Sequence, residues 1–276
     1  MPEGRKRGVG KNQIEQDCLR VFAGTGVRGF PFIKIMNRRF TVMTIIVVAT
    51  LFIASCAAKN SRDKLSWDAT ARKDMVGSQI KARGITDAKV IDAMLKVERH
   101  KFVPKSLEKL AYGDYPLPIG YEQTISQPYI VALMTERLSL KAGDRIFEVG
   151  TGSGYQAAIL SLLAGEVYTV EIIESLADSA AVRLDRLGFH NVHVRYGDGF
   201  LGWPEKAPFD AIIITCAPPK LPEPLVAQLA EGGRLIVPLG EDFQVLTLYR
   251  KIGGVLKKEE ITPVLFVPMK GLIEEQ

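Results

Sequence analysis

The chain has 276 residues, 47% of them apolar, with three cysteines and a formal charge of +5, which excludes a disordered polymer, a disulfide framework and a Cys-x-x-Cys metal site. The charge is unevenly spread: residues 1–39 carry nine Lys/Arg and three Asp/Glu, leaving a nearly neutral body of 27 basic and 28 acidic residues. The part that would do chemistry therefore lacks a basic footprint for phosphate backbones, and no nucleic-acid partner is expected.

Residues 1–35 show little periodicity and read as a disordered leader, or as upstream sequence counted as coding. From Met36 the pattern changes. Asn37-Arg38-Arg39 supplies positive charge, an uncharged stretch runs from Phe40 to Ala54, and Ile53-Ala54-Ser55-Cys56 follows. Residues 36–58 thus resemble a bacterial lipoprotein signal with Cys56 as the acylated residue. The alternative is a membrane anchor of marginal length, since about 20 apolar residues are needed to span. Either would attach the chain to a membrane through residues 36–56.

Residues 59–66 form a polar linker, and residues 67–276 read as a single domain whose first part, 67–140, is helical. Helical spacing runs over Trp67 to Arg83 and Asp87 to Val97, with Thr86 as a plausible cap of the second stretch. Prolines break regularity at His100 to Pro104 and Tyr115 to Gly120. Gln123-Thr124-Ile125-Ser126-Gln127-Pro128-Tyr129 then leads into an amphipathic helix through Leu138. Ser126 has two readings. It is either an ordinary helix cap or part of an anion site at a helix N-terminus, suited to a substrate carboxylate.

From Lys141 strands and helices alternate. Strands are expected at Arg145 to Val149, Val167 to Val170, Val192 to Arg195, Ala211 to Thr215 and Arg234 to Pro238, with helices between them, and a closing hairpin at Val245 to Thr262. Such alternation implies an α/β fold: a doubly wound, mostly parallel sheet of Rossmann-like type with helices on both faces, in residues 141–276.

Ligands of such sheets sit beyond the carboxyl ends of the strands. There the first strand ends in Glu148 and runs into Gly150-Thr151-Gly152-Ser153-Gly154. Glycines on alternate positions let a cofactor lie against the backbone, and the spacing departs from the G-x-G-x-x-G of dinucleotide binders. Glu171 closes the next strand about twenty residues on, where a carboxylate can accept from both ribose hydroxyls. Together these point to S-adenosylmethionine rather than NAD. Asp198, followed by Gly199 after the third strand, is placed to accept the adenine amine or to make a turn. Cys216 reads as a small buried residue rather than a nucleophile. No metal is expected, since His190 and His193 make no ligand set.

The runs Gln123 to Pro128, Glu148 to Ala158, Gly197-Asp198-Gly199, Glu231-Gly232-Gly233-Arg234-Leu235 and Phe266-Val267-Pro268 resemble the protein-L-isoaspartate O-methyltransferase family over about Thr70 to Gly271. The Thr-Ile-Ser-Gln-Pro block is the most specific part. The resemblance implies a class I S-adenosylmethionine-dependent enzyme that methylates the free α-carboxylate of L-isoaspartyl and D-aspartyl residues in damaged proteins, starting repair through a succinimide. It also implies Ser126 as the active-site serine, with Thr124, Ile125, Gln127 and Pro128 on the substrate side. Cofactor contacts would fall to Glu148, Gly150, Thr151, Gly152, Ser153, Gly154, Glu171, Asp198 and Gly199.

Two other readings stand beside this one: another methyltransferase acting on a small molecule or RNA, and an inactive lipid-anchored binding protein on the same scaffold. A monomer is expected. Cofactor supply and the resemblance favour the cytoplasm, whereas translation from Met36 would give an exported protein anchored at Cys56.

Overall fold

The computed structural model describes residues 66–275; the leader, the lipoprotein-type stretch and Cys56 lie outside the described residues. The first expected helix is broken into three: α1 (Trp67–Met75) passes into a π-helical turn, Val76–Ile80, and a 3-10 turn, Lys81–Arg83. Ser78 Oγ donates to the Asp74 carbonyl at 2.7 Å, and such back-bonding beside Gly77 loosens the regular ladder. Helix α2 (Ala88–Lys96) is capped by Asp87 rather than Thr86. The Asp87 carboxylate accepts from the Lys89 N–H at 2.8 Å, while the N–H groups of Thr86 and Asp87 donate to Glu136.

The proline-rich stretch holds a hairpin absent from the sequence reading, β1 (Leu117–Gly120) against β2 (Gln123–Ile125). Its turn needs positive φ at Gly120, Tyr121 and Glu122, and only the first is a residue that signals such a turn. Helix α3 (Pro128–Leu138) opens on Pro128, with Gln127 at the cap position making no capping bond, its side-chain amide donating to the Asp114 carbonyl at 3.0 Å instead. Ser126 therefore does not cap it.

The sheet then follows: β3 (Arg145–Val149), α4 (Tyr155–Ser161), β4 (Glu166–Glu171), α5 (Glu174–Arg186), β5 (Val192–Tyr196), β6 (Phe209–Ile214), α6 (Glu223–Ala227), β7 (Leu229–Leu239), β8 (Gln244–Ile252) and β9 (Val255–Val264). Strand order is β5-β4-β3-β6-β7-β8-β9, parallel through β7 and antiparallel for the last two. The order reverses between β3 and β6, which places the switch point at the end of β3.

Strand alternation sorts the core into two layers. Ile146, Val167, Ala211, Ile213 and Ile236 pack with the N-terminal helices and α4, while Phe147, Tyr168, Ile212, Ile214 and Leu235 face Leu225 of the short α6, with Phe209 and Met269. The Glu231-to-Leu235 run is structural. Glu231 accepts from the N–H groups of Gly253 and Gly254 in the closing turn at 2.5 and 3.0 Å. Arg234 donates to the carbonyls of Leu138 and Asp210 and to the Asp144 carboxylate, tying α3 to the sheet.

Candidate active site

The glycine loop leaves β3 at the switch point. Gly150, Gly152 and Gly154 have φ of +93°, +52° and +85°, and a Cβ on Gly150 would lie 2.5 Å from Thr215 Oγ1. That hydroxyl donates to the carbonyls of Val149 and Gly150 at 2.9 and 2.7 Å, so β6 fixes the path of the loop. From the other side, Glu171 at the end of β4 accepts from the Gly152 N–H through Oε2 and from the Ile173 N–H through Oε1. Two neighbouring strands thus hold a stretch of bare backbone open towards a cavity of about 370 Å³, within the roughly 300–1,000 Å³ of small-molecule sites.

Gly150, Thr151, Gly152, Ser153, Glu171 and Gly199 line that cavity, and so do Thr124, Ile125 and Ser126. Residues separated by more than twenty positions in sequence therefore share one space. Ser126 Oγ has no hydrogen-bond partner among the described residues. Ser126, Thr124, Thr215 and Val267 also line an adjoining cleft of about 660 Å³, which includes Gln127 and Tyr129. Pro128 lies outside both linings and starts α3.

Three expected contacts sit elsewhere. Gly154 is outside the lining and caps the start of α4, where a Cβ would lie 3.1 Å from the Leu184 side chain. Glu148 is fully buried, outside the cavity lining, and neither carboxylate oxygen has a hydrogen-bond partner. Burial first, and then the charge of Glu171, push its pKa up to about 8, against an opposing pull from Thr169. Asp198 also lies outside the lining: it accepts from the Phe200 N–H at 2.8 Å and the Leu272 N–H at 2.7 Å. It thereby holds the C-terminal segment, whose Gly271 has no room for a Cβ beside the Asp198 carboxylate.

That segment supplies much of the wall missed from sequence. Val267, Pro268, Met269, Lys270 and Gly271 border the cavity, secured where the Ala217 N–H donates to Val267 and the Met269 N–H donates to Ala217, both at 2.8 Å. The only sequence signal was Phe266-Val267-Pro268. Tyr155 and Gln156 also line it, as does Cys216, whose thiol burial pushes up to about 12. A thiol held neutral there is a packing group and not a nucleophile.

The arrangement fits S-adenosylmethionine on two observations: side-chain-free backbone where a nucleoside would press, and a strand-end carboxylate at Glu171.

Comparison with known proteins gives the same direction. The family model for "Protein-L-isoaspartate(D-aspartate) O-methyltransferase (PCMT)" matches residues 70–274. A protein-L-isoaspartate O-methyltransferase of Geobacter metallireducens is 54% identical over 203 residues, covering 73% of this chain and 94% of that protein. Protein-L-isoaspartate O-methyltransferase 2 of Shewanella sediminis is 50% identical over 234 residues, 84% of this chain and 94% of that one. A putative protein-L-isoaspartate O-methyltransferase from Plasmodium falciparum, solved in complex with S-adenosyl-L-homocysteine, superposes with a TM-score of 0.64 at 30% identity, covering 75% of this chain and 99% of that chain.

Proposed function

Because the chain belongs to the protein-L-isoaspartate(D-aspartate) O-methyltransferase family, we propose that it transfers a methyl group from S-adenosylmethionine to the free α-carboxylate of L-isoaspartyl and D-aspartyl residues in damaged proteins and peptides. The single observation that carries this reading is the shared lining: Ser126, Thr124, Thr215 and Val267 belong both to the glycine-loop cavity and to the adjoining cleft. A small cofactor in one and a polypeptide in the other would meet at these residues.

When bound, S-adenosylmethionine supplies an electrophilic methyl group on a positively charged sulfur. The substrate carboxylate, with a pKa of about 4, is already ionised at neutral pH and needs no general base. The work left to the protein is orientation, which alone can contribute about 7 kcal/mol or more. Ser126 would donate its free hydroxyl to one carboxylate oxygen, with Thr124 and Ile125 walling the same side and Gln127 facing the peptide. Glu171 would accept from the ribose while its backbone bonds keep the loop in shape. Gly150 to Gly154, with Thr151 and Ser153, would seat the nucleoside. Asp198 would act through the C-terminal segment that it holds against the site.

The deciding experiment is a radiolabelled methyl-transfer assay on paired peptides that differ only in Asp versus isoAsp. Label in the isoAsp peptide alone is expected; equal label in both, or none, rejects the substrate.

Residues 67–276 would act as a monomeric domain in the cytoplasm, where the cofactor is made. No helix among the described residues is long and apolar enough to cross a membrane. Mass spectrometry of the mature N-terminus tests the compartment, since an acylated Cys56 would replace this reading with an exported, membrane-attached form.

A further inference from the structure

We propose that Arg83 reads the charge of the polypeptide beside the isoaspartyl residue, so that substrates with a neighbouring acidic side chain are preferred. This deepens the function proposed above and rests on it. Among the described residues lining the cleft that shares Ser126 with the cofactor cavity, Arg83 alone carries a charge; the others are apolar or bear hydroxyl and amide groups. The occupant of this cleft is the chain on one side of the residue being methylated, because Ser126 lines both this cleft and the cofactor cavity.

The side chain of Arg83 is fixed in direction. Its guanidinium lies over the Tyr129 ring, 3.5 Å from the centroid, and Nη1 donates to Asp114 Oδ2 at 2.9 Å. One of five N–H donors is thus engaged, and 43% of the side chain remains accessible. Asp114 is not part of the lining, so the group that meets a ligand is the guanidinium. An arginine held in a stack keeps its planar fork ready for a carboxylate, losing little freedom per bond formed. Asp114 cancels most of the field at a distance, which leaves an attraction acting at contact range. Leu265, in the same lining, is 90% exposed, an apolar surface for the rest of the same peptide.

The test uses the full chain and isoaspartyl peptides carrying Glu, Gln or Lys at each of the two positions on either side of the damaged residue. At one of these positions the wild-type kcat/KM is expected to be about five-fold higher for Glu than for Gln, the size of a half-exposed charge-assisted pair, with the difference in KM. In Arg83→Gln the Glu-to-Gln ratio should fall to about one, and in Arg83→Glu the preference should turn to Lys. Because each ratio is taken within one enzyme sample, a variant that folds only in part still gives a reading. Turnover with equal kcat/KM for all three side chains in the wild type overturns the inference alone. So does a ratio unchanged by Arg83→Gln, or an equal loss on every peptide, which would mean that Arg83 binds the isoaspartyl carboxylate itself. Absence of turnover on every isoaspartyl peptide removes the methyltransferase reading, and this inference with it.

Discussion

Glu171 Oε2 accepts a hydrogen bond from the backbone N–H of Gly152 at 2.7 Å. The acid that closes one strand therefore shapes the loop that leaves its neighbour, and the same carboxylate faces the cavity. It has two tasks: one towards the protein and one towards the ribose.

Glu171→Ala is expected to weaken S-adenosylhomocysteine binding by about 1.5–3 kcal/mol, as for hydrogen bonds to a charged group. Glu171→Gln should recover only part, since an amide can accept through one oxygen alone. Isothermal titration that gives a wild-type Kd for the alanine variant would remove Glu171 from the site.

Ser126→Ala should lower kcat on an isoaspartyl peptide by about ten-fold or more, the loss of one hydrogen bond to an anion, while cofactor affinity changes little. Steady-state kinetics beside cofactor titration separates the two quantities. Unchanged kcat rejects the serine.

Glu148 carries a pH signature. Its folded pKa, about 8, lies above the unfolded value of 4.5, so between these values the folded state holds more protons. Stability of the ligand-free protein must then fall as pH rises from about 4.5 towards 8, by an amount on the order of a few kcal/mol. Glu148→Gln should flatten that slope and unfold at a higher temperature than wild type at pH 8–9. Parallel melting curves from pH 5 to 9 would contradict this.

Gly150→Ala combines a positive φ with a Cβ 2.5 Å from Thr215 Oγ1. The expected cost is about 2–4 kcal/mol from strain and overpacking, read by urea denaturation, together with loss of cofactor binding. Wild-type stability would mean that the loop has another path available.

Arg234→Met removes one side of a largely buried pair with Asp144 and three donors to the carbonyls of Leu138, Ser139 and Asp210. About 3–5 kcal/mol of stability should go. Activity per folded molecule should hold, because Arg234 lies outside the cavity lining; a fall in kcat without a fall in stability would be the opposite result.

The order of elements was legible in the chain itself, because a parallel sheet writes its strands as apolar runs ended by glycine or acid. Arg145 to Val149, Val167 to Glu171 and Ala211 to Ile214 stand out for that reason, and so does the glycine loop. The β1–β2 hairpin was not legible, since Tyr121 and Glu122 take a left-handed turn that their side chains do not announce. Nor was the broken α1, where one serine hydroxyl diverts a carbonyl.

Within the site, sequence by itself determined which side chains face the ends of the strands: Glu171 and the glycines are fixed by strand ends that local pattern marks. Only tertiary structure decided who shares the cavity. Asp198 turns to Leu272 instead of the cavity, Glu148 is buried without a partner, and residues 267–271 return to form a wall beside Ser126. The physical reason is range. A strand end or a tight turn is set by neighbours a few residues away, whereas the meeting of Ser126 with Gly152 and Val267 is set by how the sheet, the hairpin and the C-terminal segment pack together.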